Sequence, residues 1–376
     1  MTRARDVANL GNNTTNLETL DTLYGDNVLT GRNLIINGAM QVAQRGTSAT
    51  ASGYGSVDRF RSEFSGVSVT QSQESLSSGG PYDSGFRYFL RATNTSTSSA
   101  TSAFLQMYQY IEAQNISISG WKANSSSSFI NYSFWVRSSL AGTYFINLRS
   151  LDGTSQNFSS PVVLEAATWK KVSLSIPGNS GITIATDNGQ GLFIGIVPHY
   201  GTDYTTSGHT TGAWAAYSGS DITPDYSQSW TNTASATFDI TGVQLEIGQT
   251  ATPFEHRSFG EELALCQRYL PALNHQGNGM YATGKAFSST GARIFYQFKV
   301  QPRTNPTGIS ISAASDFKIT NPNDGLNTLT GLTFQTGTNV GCRMSATVSS
   351  GLTTGNATEL YIQSSSAQIL FTGVEL

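Results

Sequence analysis

From residue 33 onward, apolar and polar side chains follow one another with a period of two in short runs, the pattern of half-buried β-strands. The runs 67–70, 169–176 and 237–246 alternate most strictly, and 129–136 and 142–148 add aromatics at the apolar positions. The run 192–197 is almost wholly apolar, as expected of a strand covered on both faces. Further strands are expected at 33–38, which closes on the turn signal Asn37-Gly38, and at 57–64 and 86–90. Trp135 and Trp169 stand on two of these strands and are expected in the core. So many short strands with turn signals between them predict a mainly β chain, an antiparallel β-sandwich of the jelly-roll kind.

One segment departs from this rhythm. Leu263, Cys266 and Leu270 have helical spacing, Ser258 stands where an N-cap would, and Glu261 and Glu262 fall in a first turn where they favour the helix dipole. Pro271 ends the helix. Beyond it, 272–376 returns to strands at 293–300, 308–312, 342–348, 359–363 and 368–376, a smaller C-terminal β domain whose last strand should be needed for folding. At the other end, Leu10, Leu17 and Tyr24 are spaced by seven with Leu20 at a coiled-coil offset, but Gly11 and Gly25 limit any helix to about two turns. The expected organisation is a short N-terminal arm over 1–31, a sandwich over 32–258, a linker helix over 259–271 and the C-terminal domain over 272–376. The arm is either loose or a segment that joins subunits or docks on a larger particle, since so short a stripe needs a partner to order it.

Composition agrees with a folded β protein. Only 12% of residues are charged, 11% are aromatic and 38 are Gly, a mixture of sheet-packing rings and turn formers that a disordered chain lacks. The net charge of -3 and the scattered placement of 21 basic residues argue against nucleic acid as a partner. No stretch is long and apolar enough to insert in a membrane, and no secretory signal follows the basic start, so synthesis in a cytoplasm is expected. Two cysteines, Cys266 and Cys342, fit no metal motif and are expected as buried thiols, although a bridge between them stays open.

Catalytic signals are weak. His199, His209, His256 and His275 show no metal spacing, the acidic residues offer no evident facing pair, and Gly189-Gln190-Gly191 reads as a turn. No catalytic residue, metal or cofactor is expected. A calcium ion on Asp239 is the nearest alternative, but hard cations want several oxygen ligands and Met40 and Gln41 stand where another carboxylate is wanted. The informative stretch for binding is 199–230, long and without strand pattern. It carries Tyr200, Tyr204, Trp214, Tyr217, Tyr226 and Trp230 among small polar residues and Asp203, Asp221 and Asp225. Exposed rings offer flat faces to sugar C–H groups while carboxylates accept from hydroxyls; the competing reading is that the rings pack the loop onto the sandwich.

Three stretches, in order, resemble bacteriophage tail-fibre proteins. The first is 33–48, Asn33-Leu34-Ile35-Ile36-Asn37-Gly38 continuing through Gln44-Arg45-Gly46, with Val57-Asp58-Arg59-Phe60 after it. The second is Gly242-Val243-Gln244-Leu245-Glu246 with Thr252-Pro253-Phe254-Glu255-His256-Arg257-Ser258, and the third is Glu261-Glu262-Leu263-Ala264-Leu265-Cys266-Gln267-Arg268-Tyr269. Between them, Ser133-Phe134-Trp135-Val136-Arg137 and Thr168-Trp169-Lys170-Lys171-Val172 resemble jelly-roll carbohydrate-binding modules. The resemblance implies a virion component, a homotrimer held to other tail proteins through the N-terminal arm, with β-domains displayed toward a host-surface glycan or other receptor. It carries over no binding residue. A virion part without receptor binding, and a glycan-degrading enzyme, are the alternatives.

Overall fold

The computed structural model describes residues 31–376; the arm expected over 1–31 lies outside the described residues except for Gly31. The described chain divides into two compact units, 31–41 with 46–257, and 42–45 with 258–376. Both are built of antiparallel sheets, so the chain is mainly β as its alternation predicts.

The first unit is a sandwich of two six-stranded sheets. The first sheet runs in the order β1 (Ser48–Ala49), β3 (Val69–Ser75), β4 (Tyr88–Asn94), β12 (Thr237–Ile247), β6 (Phe129–Ser138), β9 (Lys170–Pro177). The second runs β11 (Trp214–Ala216), β8 (Gln156–Leu164), β7 (Gly142–Ser150), β10 (Gln190–Tyr200), β5 (Phe104–Glu112), β2 (Arg61–Ser65). Alternation decides what each strand gives to the core. Ile130, Tyr132, Phe134 and Val136 point inward from β6, Tyr144, Ile146 and Leu148 from β7, and Leu192, Ile194 and Ile196 from β10. The unbroken apolar character of β10 has a second cause. Phe193 and Val197, on its outer face, are buried too, Val197 beneath a loop that contributes Ile222.

The motif stretch at 33–38 differs from expectation, for it forms no strand. Two backbone bonds tie it to β12, Leu34 N to Leu245 O at 2.8 Å and Val243 N to Gly38 O at 3.0 Å, and much of the rest of its backbone is paired with side chains. Gln109 accepts from Ile36 N at 2.9 Å and donates to Ile36 O at 2.8 Å, while Asn33 Oδ1 accepts from Ile35 N and Leu245 N, both at 3.0 Å. Gly38 passes so close to β12 that a Cβ would lie 2.0 Å from Val243 O, which is why the turn demands glycine there. The run 57–64 is a strand only from Arg61; Val57 to Phe60 is a buried turn in which Arg59 takes a left-handed φ of 71°. The second motif stretch meets the first. Glu255 accepts from Asn33 N at 2.7 Å, and Arg257 donates to the carbonyls of Ile35 and Asn33. These stretches are therefore framework, a hydrogen-bonded corner that closes the sandwich.

The tryptophans also exchange places with expectation. Trp135 and Trp169 are half-buried and pack on the outer face of the first sheet against Ala39, Leu76, Phe86 and Phe89, not in the central core. Trp230 fills the core instead.

In the second unit, β13 (Ala272–Asn274), β22 (Gln368–Thr372) and β16 (Gly308–Ile311) form one sheet. The other has seven strands in the order β18 (Leu326–Thr328), β17 (Phe317–Thr320), β21 (Ala357–Ile362), β14 (Gly279–Ala286), β15 (Gly291–Gln297), β20 (Gly341–Thr347), β19 (Gly331–Gly337). The terminal β22 is the central strand of its sheet, and Ile369 and Phe371 are fully buried. The helix Phe259–Gln267 forms as its cap signals predict, with a reciprocal box in which Ser258 Oγ accepts from Glu261 N at 3.3 Å and Glu261 Oε2 accepts from Ser258 N at 2.9 Å. Cys266 and Cys342 are both buried and form no disulfide, and burial pushes the Cys342 thiol up to about 12. Gln44 and Arg45 belong to this unit. Gln44 Nε2 donates to Leu270 O at 3.0 Å and Arg45 Nη2 lies 2.7 Å from Glu375 Oε2. No helix among the described residues is long and apolar enough to cross a membrane.

Candidate functional site

The outward-facing positions of the second sheet are aromatic and polar by the same alternation that fills its inner face with aliphatics. Strand register sets them in rows: Arg61, Tyr108, Gly195, Asn147 and Ser159 in one, and Tyr110, Phe193, Arg149 and Asn157 in the next. Glu63, opposite Gln106, ties one side together. It accepts from Tyr108 Oη at 2.7 Å, Gln106 Nε2 at 2.9 Å and Arg61 Nη2 at 3.2 Å. Gln106 Oε1 in turn accepts from Tyr200 Oη at 2.6 Å. Burial, and then the bond to Glu63, holds the Tyr108 phenol well above the usual tyrosine range, and burial does the same for Tyr200. Both remain neutral donors.

Residues 201–230 fold back over this face and are latched to it. His209 spans the gap, Nδ1 lying 2.8 Å from Asp221 Oδ1 and Nε2 lying 2.7 Å from Ser159 Oγ on β8. Thr206 Oγ1 also donates to Asp221, and these two bonds hold the Asp221 carboxyl below the usual range. Gly212 N donates to Ser159 O at 2.8 Å, Tyr217 N to Ser155 O at 2.9 Å, and Asn157 Nδ2 to Ile222 O at 2.9 Å. Ser159, His209 and Asp221 have the bonding order of a serine nucleophile, its base and the orienting acid. Ser159, however, is 0% exposed and its own carbonyl is taken by the loop. The geometry is that of a latch.

Between the latched loop and the sheet a cavity of about 200 Å³ remains, lined by Phe104, Gln106, Asn147, Arg149, Phe193, Tyr200, Tyr204 and Tyr217 with Gly219 and Ile222. Three of the six expected rings thus come together. Tyr204 stands edge-on to Phe104, with centroids 5.4 Å apart, and lies 5.6 Å from Tyr200. Tyr217 lies beneath the Arg149 guanidinium at 4.4 Å. The other three do not join. Trp230 is 0% exposed in the core and can meet no ligand, because the short helical turn Trp230–Asn232 drives it between the sheets. Trp214 packs on Phe158 and donates Nε1 to Pro177 O at 2.7 Å. Tyr226 pairs with Phe145 and His199 and donates to Val197 O at 3.1 Å. These three make packing contacts and do not line this cavity.

Arg149 escaped the sequence reading, since one arginine in an alternating strand carries no signal of its own. Its Cζ lies 4.4 Å from the Tyr217 centroid and 5.4 Å from that of Phe193, and its Nε is buried with no hydrogen-bond partner. Among the described residues no carboxylate pairs with it. Asp239, the residue weighed for calcium, is otherwise engaged: it lies in the first sheet, 1% exposed, with Arg91 Nε at 2.8 Å and Arg137 Nη2 at 2.7 Å. No group of three or more metal-ligating side chains occurs among the described residues.

No family model and no curated protein matches the chain. Among solved structures, the enzymatically active domain of bacteriophage CBA120 tailspike protein 4 is similar over 57% of this chain at 12% identity and a TM-score of 0.32. That match spans only 21% of the tailspike chain. The N-terminal cellulose-binding domain of Cellulomonas fimi β-1,4-glucanase C matches 56% of this chain and 99% of its own at 8% identity, TM-score 0.26. A cyclase from Fischerella sp. TAU matches 57% and 96% at 8% identity, TM-score 0.31. These are likenesses of fold, and no functional residue is transferred on them.

Proposed function

We propose that the chain is a non-enzymatic component of a phage tail fibre that binds a host-surface saccharide in the cavity on the outer face of its second sheet. The observation that carries the binding half is the convergence of Tyr200, Tyr204 and Tyr217 with Asn147, Gln106 and Arg149 around one recess. Apolar ring faces beside a few fixed polar groups suit the alternating C–H and hydroxyl surface of a sugar. The burial of Ser159 supports binding without turnover, because a nucleophile needs access to its substrate. The virion half is supported by the three ordered motif stretches. The trimer rests on the same resemblance, and a monomeric mass for the full chain at micromolar concentration would sink it. For the site, the full chain is screened against an array of bacterial surface oligosaccharides beside Tyr217→Ala. Retention of a subset by the wild type, lost in the variant, supports the reading. Retention of none leaves a virion part without receptor binding, and release of reducing sugar would replace the reading by an enzyme.

A further inference from the structure

The cavity holds a cation that has no counter-ion among the described residues. Arg149 is kept in place by Phe193 and Tyr217, and cation–π contact of this kind offsets part, but not all, of the cost of drawing a guanidinium away from water. The nearby Arg61–Glu63 pair is neutral as a unit, with Glu63 also bound by Gln106 and Tyr108. Beside Arg149, Asn147 spends its amide hydrogens on Asn157 Oδ1 and Phe158 O, and its own Oδ1 accepts no hydrogen bond among the described residues. Among the described residues, the recess therefore offers a forked donor without an acidic partner and, next to it, an open acceptor.

Resting on the saccharide reading above, we infer that the ligand is an acidic saccharide whose anionic group pairs with Arg149 while a neighbouring hydroxyl donates to Asn147 Oδ1. A planar guanidinium matches the two oxygens of a carboxylate or a sulfate ester, and a charge-assisted forked pair inside a recess is far stronger than a neutral hydrogen bond. A neutral sugar would leave the cation as it is. Discrimination of at least about ten-fold is expected, since a site built for one polar partner rejects the analogue that lacks it.

Titration calorimetry of the full chain tests this with a uronate-bearing oligosaccharide, a sulfated one, their neutral counterpart, and sodium acetate and sodium sulfate as free anions. The expected result is at least ten-fold tighter binding of one acidic sugar than of the neutral one, weakening with added salt, and no measurable binding of the free anions. Which acidic arm wins tells carboxylate from sulfate. In Arg149→Gln the acidic-to-neutral ratio should fall toward one; should that variant fail to fold, the wild-type ratio and its salt dependence decide alone. Equal binding of neutral and acidic sugars overturns the inference and leaves the saccharide reading standing. Binding of no saccharide at all removes both.

Discussion

The outer faces of the two sandwich sheets use the same materials to different ends. On the first sheet, Arg137 lies over Trp169 at 4.6 Å and Arg91 over Phe89 at 5.1 Å, and both guanidiniums converge on the buried Asp239. On the second, Arg149 lies over Tyr217 in the same manner but meets no carboxylate among the described residues. Side-chain type and stacking geometry are shared, and only the counter-charge differs. A stacked arginine with its acid present is a closed structural element; one without it faces a recess still able to take a partner.

The largest test of this contrast is Asp239→Asn. Removing the carboxylate leaves two partly buried cations facing one another, and a loss of about 3 kcal/mol is expected in urea unfolding of the full chain. A loss below about 1 kcal/mol would mean that the first face is no more closed than the second. Next comes the end of β10, where His199 packs on Tyr226 with Nδ1 buried and unbonded, and burial lowers its imidazole to about 4 from an ordinary 6.5. The folded state thus prefers the neutral ring. The stabilisation is complete above pH 6.5 and is lost as pH falls toward 4, by about 3 kcal/mol at most. His199→Phe should flatten that part of the stability–pH curve; an unchanged slope would show that other groups govern it.

Tyr217→Ala should weaken saccharide binding about ten-fold, near 1.4 kcal/mol, while the unfolding midpoint shifts little, because Tyr217 is half-buried on a loop. A large drop in midpoint would assign the ring to packing. The smallest effect expected is on the stability of Arg149→Gln, within about 1 kcal/mol of wild type, since no ion pair is broken. A cost equal to that of Asp239→Asn would erase the distinction between the faces.

Much of this was legible in the chain, and the limits have physical causes. Alternation at 237–246 and 169–176 placed β12 and β9, and Ser258 with Glu261 placed the helix start, because these signals are local. The stretch 33–38 misled because many of its backbone partners are side chains, above all Gln109, which no periodicity reveals. Composition singles out the aromatic stretch as a candidate, yet local composition cannot tell Trp230, turned into the core, from Tyr217, which lines the recess. Arg149 and the Ser159–His209–Asp221 latch are products of strand pairing and loop return, bringing together residues that are unremarkable where they stand.

The passage of Val42–Arg45 into the second unit makes both units discontinuous in sequence, the chain moving between them at 41/42, 45/46 and 257/258. Genetic exchange of a C-terminal module by one crossover after Arg257 would carry away β13 to β22 but leave Gln44 and Arg45 behind, and with them the Gln44–Leu270 and Arg45–Glu375 contacts. Swaps that preserve folding must therefore either import residues 42–45 along with the module or draw both halves from lineages sharing that tetrapeptide. Diversification by shuffling is constrained at a point more than two hundred residues upstream of the apparent joint.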